Sequence, residues 1–200
     1  MTLKRSLFNI LFFVILFFSF TKLSHSLEPK DFVQTTIDKA SEILSSENSK
    51  DEKIVQLRNI AKNTVDIRGI GFYSLGSHRK SLDSDQKKEY LKIFEQYFLK
   101  SFSSRLAEYS DPKIRVDSQE KLNEKYTMVS STLLAGDDKP EVKIDWRIVT
   151  KDPINPLIID VVIEGVSLAK VQKEEFNSII QSNNGDIKVL FSTLQEFINQ

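Results

Sequence analysis

Five places in the sequence hold residues whose types could do chemistry. Glu164 closes the apolar run Val161-Val162-Ile163 and is followed by Gly165. A carboxyl beside such a run can be raised in pKa and act as a general acid. Glycoside hydrolysis would need a second carboxylate close by. Asp160 shares the face of Glu164 in an extended strand, but four residues of strand span roughly 13 Å. The expectation is a structural glutamate, hydrogen-bonded near a strand end, with a glycine permitting a tight bend. His78 stands between polar residues and next to Arg79 and Lys80. A Ser-His-Asp triad would have to use it, and its polar surroundings predict an ordinary exposed loop histidine instead. GIGFYSLG, from Gly69 to Gly76, follows neither GxGxxG nor the Walker pattern and lacks a preceding strand. Its glycines are expected to let helices approach closely or turn. Asp137-Asp138 and Asp51-Glu52 offer too few alternating oxygens for a calcium loop. No catalytic residue, metal ligand or cofactor is assigned.

The first residues address the chain. Lys4 and Arg5 precede LFNILFFVILFFSF, Leu7 to Phe20. That apolar block is shorter than the roughly twenty residues of a spanning helix and suits a signal-peptide core. Ser24-His25-Ser26 places small residues at −3 and −1 of a cut before Leu27, so 1–26 reads as a signal peptide and 27–200 as one domain in the periplasm. Removing Lys4, Arg5 and Lys22 leaves 25 basic against 28 acidic residues, near −3. A nucleic-acid binder needs a basic footprint, so no nucleic acid is expected. His78 becomes the one histidine, and with no cysteine in the chain the usual zinc sites cannot form. Without disulfides, core burial alone must hold the fold.

The elements that would position these residues follow from periodicity. Phe32, Val33, Ile37, Ala40 and Leu44 recur at helical spacing within Pro29–Leu44, and after a polar stretch Ile54, Leu57, Ala61 and Val65 continue it. Asp83 or Ser84 can cap a long helix whose stripe is Tyr90, Phe94, Phe98, Phe102 and Leu106, widened by Ile93 and Tyr97. From Asp111 the period becomes two. Lys113–Ser118, Lys125–Ala135, Glu141–Thr150 and Leu157–Ile163 are rich in β-branched residues, with Gly136-Asp137-Asp138 as a turn. Val142, Ile144, Trp146 and Ile148 alternate with Lys143, Asp145 and Arg147, giving one apolar and one wet face. Glu174 to Asn199 returns to helix. Helices, then a strand meander, then helices predict an α+β architecture.

Leu75-Gly76, DSDQKKEYLKIFEQYF (Asp83 to Phe98), Trp146-Arg147 and IIDVVIEGVSLAKVQKEEF (Ile158 to Phe176), with its core Asp160, Glu164, Gly165, Val166 and Ser167, resemble the periplasmic phospholipid-shuttle family. These are the soluble lipid-binding components of Mla-type ABC transport systems, also called the toluene-tolerance family. The chain departs from the commoner pattern at Asp152–Pro156, a Pro-rich insert, and at His78-Arg79. The resemblance implies helices packed around a strongly twisted antiparallel sheet that encloses an apolar cavity for acyl chains. It implies a phospholipid ligand and two partners: an inner-membrane ABC transporter complex with its membrane-anchored lipid-binding subunit, and an outer-membrane lipoprotein/porin complex. The lining it implies is Phe72, Leu75, Phe94, Phe98, Leu133, Ile144, Trp146, Val161, Ile163 and Val166. Two rival functions remain, a periplasmic enzyme using Glu164 and His78, and an envelope scaffold without ligand.

Overall fold

The structure is a computed structural model that describes residues 27–135 and 140–200. The expected signal peptide and the Gly136-Asp137-Asp138 turn lie outside the described residues.

The N-terminal half is helical. Pro29 opens α1 (Pro29–Ser45), where its missing N–H costs nothing. Phe32, Val33, Ile37 and Leu44 form its buried stripe. Helix α2 (Lys50–Thr64) starts earlier than Ile54, because Ser49 and Glu52 make a reciprocal capping box. The glycine-rich stretch forms helix α3 (Ile67–Ser74), capped by Asp66, and a 3-10 turn over Gly76–Lys80 that carries His78. Helix α4 (Ser84–Leu106) begins at the expected Asp83 cap, which pairs reciprocally with Gln86.

Five strands follow in a meander: β1 (Ile114–Asn123), β2 (Tyr126–Leu133), β3 (Val142–Val149), β4 (Leu157–Ile163) and β5 (Val166–Ser167). Each pairs antiparallel with its sequence neighbour and the sheet is open, in the order β1-β2-β3-β4-β5. The two-residue strand β5 has no signal of its own. It exists because Glu164 (φ 47°) and Gly165 (φ 80°) both take the left-handed backbone of a tight hairpin turn. The C-terminal segment is two helices, α5 (Leu168–Ser182) and α6 (Ile187–Asn199). Asn184 (φ 57°) and Gly185 (φ 81°) break it, with the Gly185 N–H donating back to the Ile180 carbonyl at 2.9 Å.

Two apolar clusters result. A helical one gathers Leu75, Tyr90, Phe94, Phe176, Ile180, Leu190 and Leu194 from the segments between α3 and α6. A sheet one packs Phe32, Val33 and Ile37 of α1 on Val116, Val129, Ile148 and Ile158. Val65, at the α2–α3 junction, packs against both, and the next amide, Asp66 N–H, donates to the Ile158 carbonyl at 2.9 Å.

The helical cluster is tightly closed around Gly71. A β-carbon there would sit 2.7 Å from Phe94 Cδ1, and the buried Tyr90 hydroxyl donates to the Gly71 carbonyl at 2.9 Å. Burial pushes the Tyr90 pKa far above the ordinary phenol value. Gly71→Ala is therefore expected to cost about 1–3 kcal/mol through overpacking, read as a lower urea midpoint at unchanged slope.

Candidate functional site

Strand register brings five of the residues implied by the resemblance onto one face. Ile144 lies opposite Ser131 on β2 and Ile163 on β4; Trp146 lies opposite Val129 and Val161. Leu133 faces Val142 one row further out. Period-two alternation then sends Lys143, Asp145 and Arg147 to the other face, as expected.

That apolar face is unevenly covered. At one end Val129, Ile148 and Ile158 are buried beneath α1. Toward the other end Leu133, Val142, Ile144, Trp146, Val161 and Ile163 are only half-buried. A protein rarely leaves so many large apolar side chains side by side without a use for them. No charged side chain interrupts these six positions.

The remaining residues fall elsewhere. Leu75 and Phe94, each 1% exposed, belong to the helical cluster, and half-buried Phe98 packs against it. Phe98 stacks on Phe102 with centroids 5.8 Å apart. Phe72 is half-buried, with the Arg68 guanidinium 5.2 Å above its ring. Val166 is 53% exposed on β5. An open cleft between α1 and α2, walled by Lys39, Glu42, Ile43, Gln56 and Ile60, is a separate feature away from the sheet residues.

Asp160 and Glu164 prove to be architectural. The Asp160 carboxylate, its side chain 3% exposed, accepts from Arg147 Nη1 at 3.2 Å, the Ser167 hydroxyl at 2.7 Å and the Ala169 N–H at 3.0 Å. It ties β3, β5 and the first turn of α5 to β4. Ser167 in turn caps α5 by accepting from the Lys170 N–H. Glu164 Oε1 accepts from the Lys143 N–H and so pins the hairpin to the edge of β3. His78 Nε2 lies 3.0 Å from Asn177 Oδ1, joining the 3-10 turn to α5. The motif from Asp160 to Ser167 thus builds a hairpin and starts a helix. Among the described residues no group of three His, Asp or Glu could hold a metal, and no helix is long and apolar enough to cross a membrane.

Sequence reasoning passed over Ser131. On β2, Thr127, Val129, Ser131 and Leu133 share a face while Met128, Ser130 and Thr132 share the other, so neither reads as apolar. Ser131 is nevertheless fully buried and accepts from the Trp146 ring N–H at 2.8 Å.

Known proteins agree with this architecture. A phospholipid-binding protein from Ralstonia solanacearum, solved in complex with a phospholipid, superposes with a TM-score of 0.71 over 87% of this chain and 98% of that one. Its sequence identity is 16%, so the likeness is one of fold. The intermembrane phospholipid transport system binding protein MlaC of Haemophilus influenzae is 28% identical over 123 residues. That match spans 58% of this chain and 58% of the relative's length. The profile of the MlaC protein family matches residues 34–196, which takes in every described strand and the body of every helix, and the chain belongs to that family.

Proposed function

We propose that the protein is a periplasmic phospholipid carrier that holds acyl chains against the half-covered end of its sheet. The observation that carries this reading is the contiguous set Leu133, Val142, Ile144, Trp146, Val161 and Ile163, apolar, free of charge and only half-buried. The phospholipid in the related fold and the transport system named for the Haemophilus relative support it. On the same reading the carrier exchanges lipid with an inner-membrane ABC transporter complex, through that complex's membrane-anchored lipid-binding subunit, and with an outer-membrane lipoprotein/porin complex. This traffic would maintain the lipid asymmetry of the outer membrane.

Energetics make an enclosing protein necessary for that task. Each buried methylene is worth about 0.8 kcal/mol, so a two-chain lipid bare in water is unfavourable by more than roughly 20 kcal/mol. Transfer from bilayer to an apolar face is a near-even exchange by the same measure. Direction is therefore set by docking partners and by ATP hydrolysed in the transporter.

Organic extraction of the purified protein followed by lipid mass spectrometry tests the proposal. Stoichiometric phospholipid is expected; a well-folded chain that never takes up lipid, even when offered vesicles, would favour a scaffold. The carrier needs no catalytic group, so Glu164→Gln and His78→Ala should both retain the full lipid load and support transport. Complete loss of transport in either variant, at normal fold and lipid content, would count against a non-enzymatic carrier. Export predicts that the periplasmic protein begins at Leu27, which N-terminal sequencing reads directly.

A further inference from the structure

We propose that Trp146 is the end-stop for acyl chains on this face, and that Ser131 is the positioning residue that holds its ring in place. The inference rests on the carrier reading and adds to it a limit on chain length.

Inside the Leu133–Val142 pair, three rows of side chains cross all of β2, β3 and β4 on the apolar face. Thr127, Ile148 and Ile158 form the inner row, all buried and lying in or beside the cluster that α1 covers. Ser131, Ile144 and Ile163 form the outer row, where both isoleucines are half-buried. Between them run Val129, Trp146 and Val161. Trp146 is the largest side chain of the middle row and stands where close packing gives way to partial cover.

Its ring is tethered. The indole N–H donates to Ser131 Oγ at 2.8 Å, and Ser131 belongs to the outer row, so the ring reaches from its own row across the half-covered side. The Ser131 hydroxyl spends its own proton on the Ile144 carbonyl at 3.1 Å. The result is a chain of bonds from ring N–H to hydroxyl to backbone. Ser131 is 0% exposed, so water cannot replace this partner while the ring stays in place, and a buried N–H without a partner is strongly disfavoured. A serine in an otherwise apolar row also leaves the space that a larger side chain would deny the indole. An acyl chain advancing along the face from its outer end meets this fixed ring before it reaches the α1-covered core.

A fixed stop discriminates by length. Methylenes that fit exchange evenly with the bilayer, whereas each one that does not fit disfavours uptake by about fourfold. The test offers the full mature protein vesicles containing equal amounts of saturated diacyl phosphatidylglycerols whose chains run from lauroyl through myristoyl and palmitoyl to stearoyl. Extracted lipid is then compared with the vesicle composition by mass spectrometry. Wild type should be depleted in the longest chains, by about fourfold for each excess methylene. Trp146→Leu should reduce that depletion by tenfold or more. Ser131→Ala should reduce it severalfold and lower the fluorescence anisotropy of Trp146, the one tryptophan in the chain. Adding Ser131→Ala to Trp146→Leu should change nothing further, since the serine acts through the ring. Should Trp146→Leu fail to fold, Trp146→Phe, which keeps a ring but has no N–H, should match Ser131→Ala.

A wild-type profile that is flat with chain length overturns the end-stop while leaving the carrier intact. An equal effect of Ser131→Ala with and without Trp146, or unchanged anisotropy in that variant, removes Ser131 as the pin. A wild-type chain that takes up no lipid overturns the carrier reading, and the end-stop with it.

Discussion

Protein carrying Ile144→Trp is expected to fold normally and to hold little phospholipid. Ile144 sits in the outer row of the apolar face, opposite Ser131 and Ile163, and is only half-buried. The larger ring would project into the space an acyl chain needs, without first displacing a close-packed neighbour. Loss of two or three methylene contacts at about 0.8 kcal/mol each lowers lipid affinity by tenfold or more. Were the position solid core, the same ring would overpack it at about 1–3 kcal/mol, and the melting temperature would fall while lipid stayed. Lys143→Trp is the control. Its side chain is on the opposite face, exposed and paired with Asp145 at 3.2 Å, so neither quantity should move. An Ile144→Trp protein that melts much lower yet carries its full lipid load would exclude Ile144 from the site.

Where periodicity was clean, the sequence was sufficient. Val142, Ile144, Trp146 and Ile148 alternate without exception, and the register places them on one face. The stripe from Tyr90 to Phe98 likewise faces the helical cluster, and Asp83 caps its helix. What the stripe could not disclose is whether a large apolar residue faces other protein or open space. Phe94 and Ile144 are alike in sequence terms, yet one is 1% exposed against Gly71 and Phe176 and the other is half-covered. That difference depends on which helix crosses which end of the sheet, a long-range fact with no local signature. Two-residue features were equally hidden. Strand β5 is too short for any period, and its presence follows from the backbone sign at Glu164 and Gly165. Asp160 carries the same lesson for charge: composition places an aspartate at a surface, and only the fold brings Arg147, Ser167 and Ala169 to it.

That convergence makes Asp160→Ala the substitution expected to destabilise the protein most. Removing the carboxylate takes three partners from one buried point at once. The Ala169 N–H, in the first turn of α5, is left buried without an acceptor, which by itself costs about 1–3 kcal/mol. Ser167 loses the bond that fixes its hydroxyl while it caps the same helix. Breaking a fully buried ion pair costs about 3–5 kcal/mol, but the Arg147 side chain is 40% exposed and can turn to water, so the pair contributes well below that range. Together these effects predict a loss of about 3 kcal/mol. For a chain of this size that is a fall in melting temperature of roughly 10 °C. Asp160→Asn keeps an oxygen for the Ala169 N–H and should lose about half as much. The size of the two losses is the diagnostic, because a carboxylate that merely filled space would make asparagine harmless and alanine mild. If Asp160→Ala unfolds within about 1 kcal/mol of wild type in urea, less than the unpaired Ala169 N–H alone should cost, then the aspartate does not hold α5 to the sheet. The segment from Asp160 to Ser167 would in that case owe its shape to the hairpin turn alone.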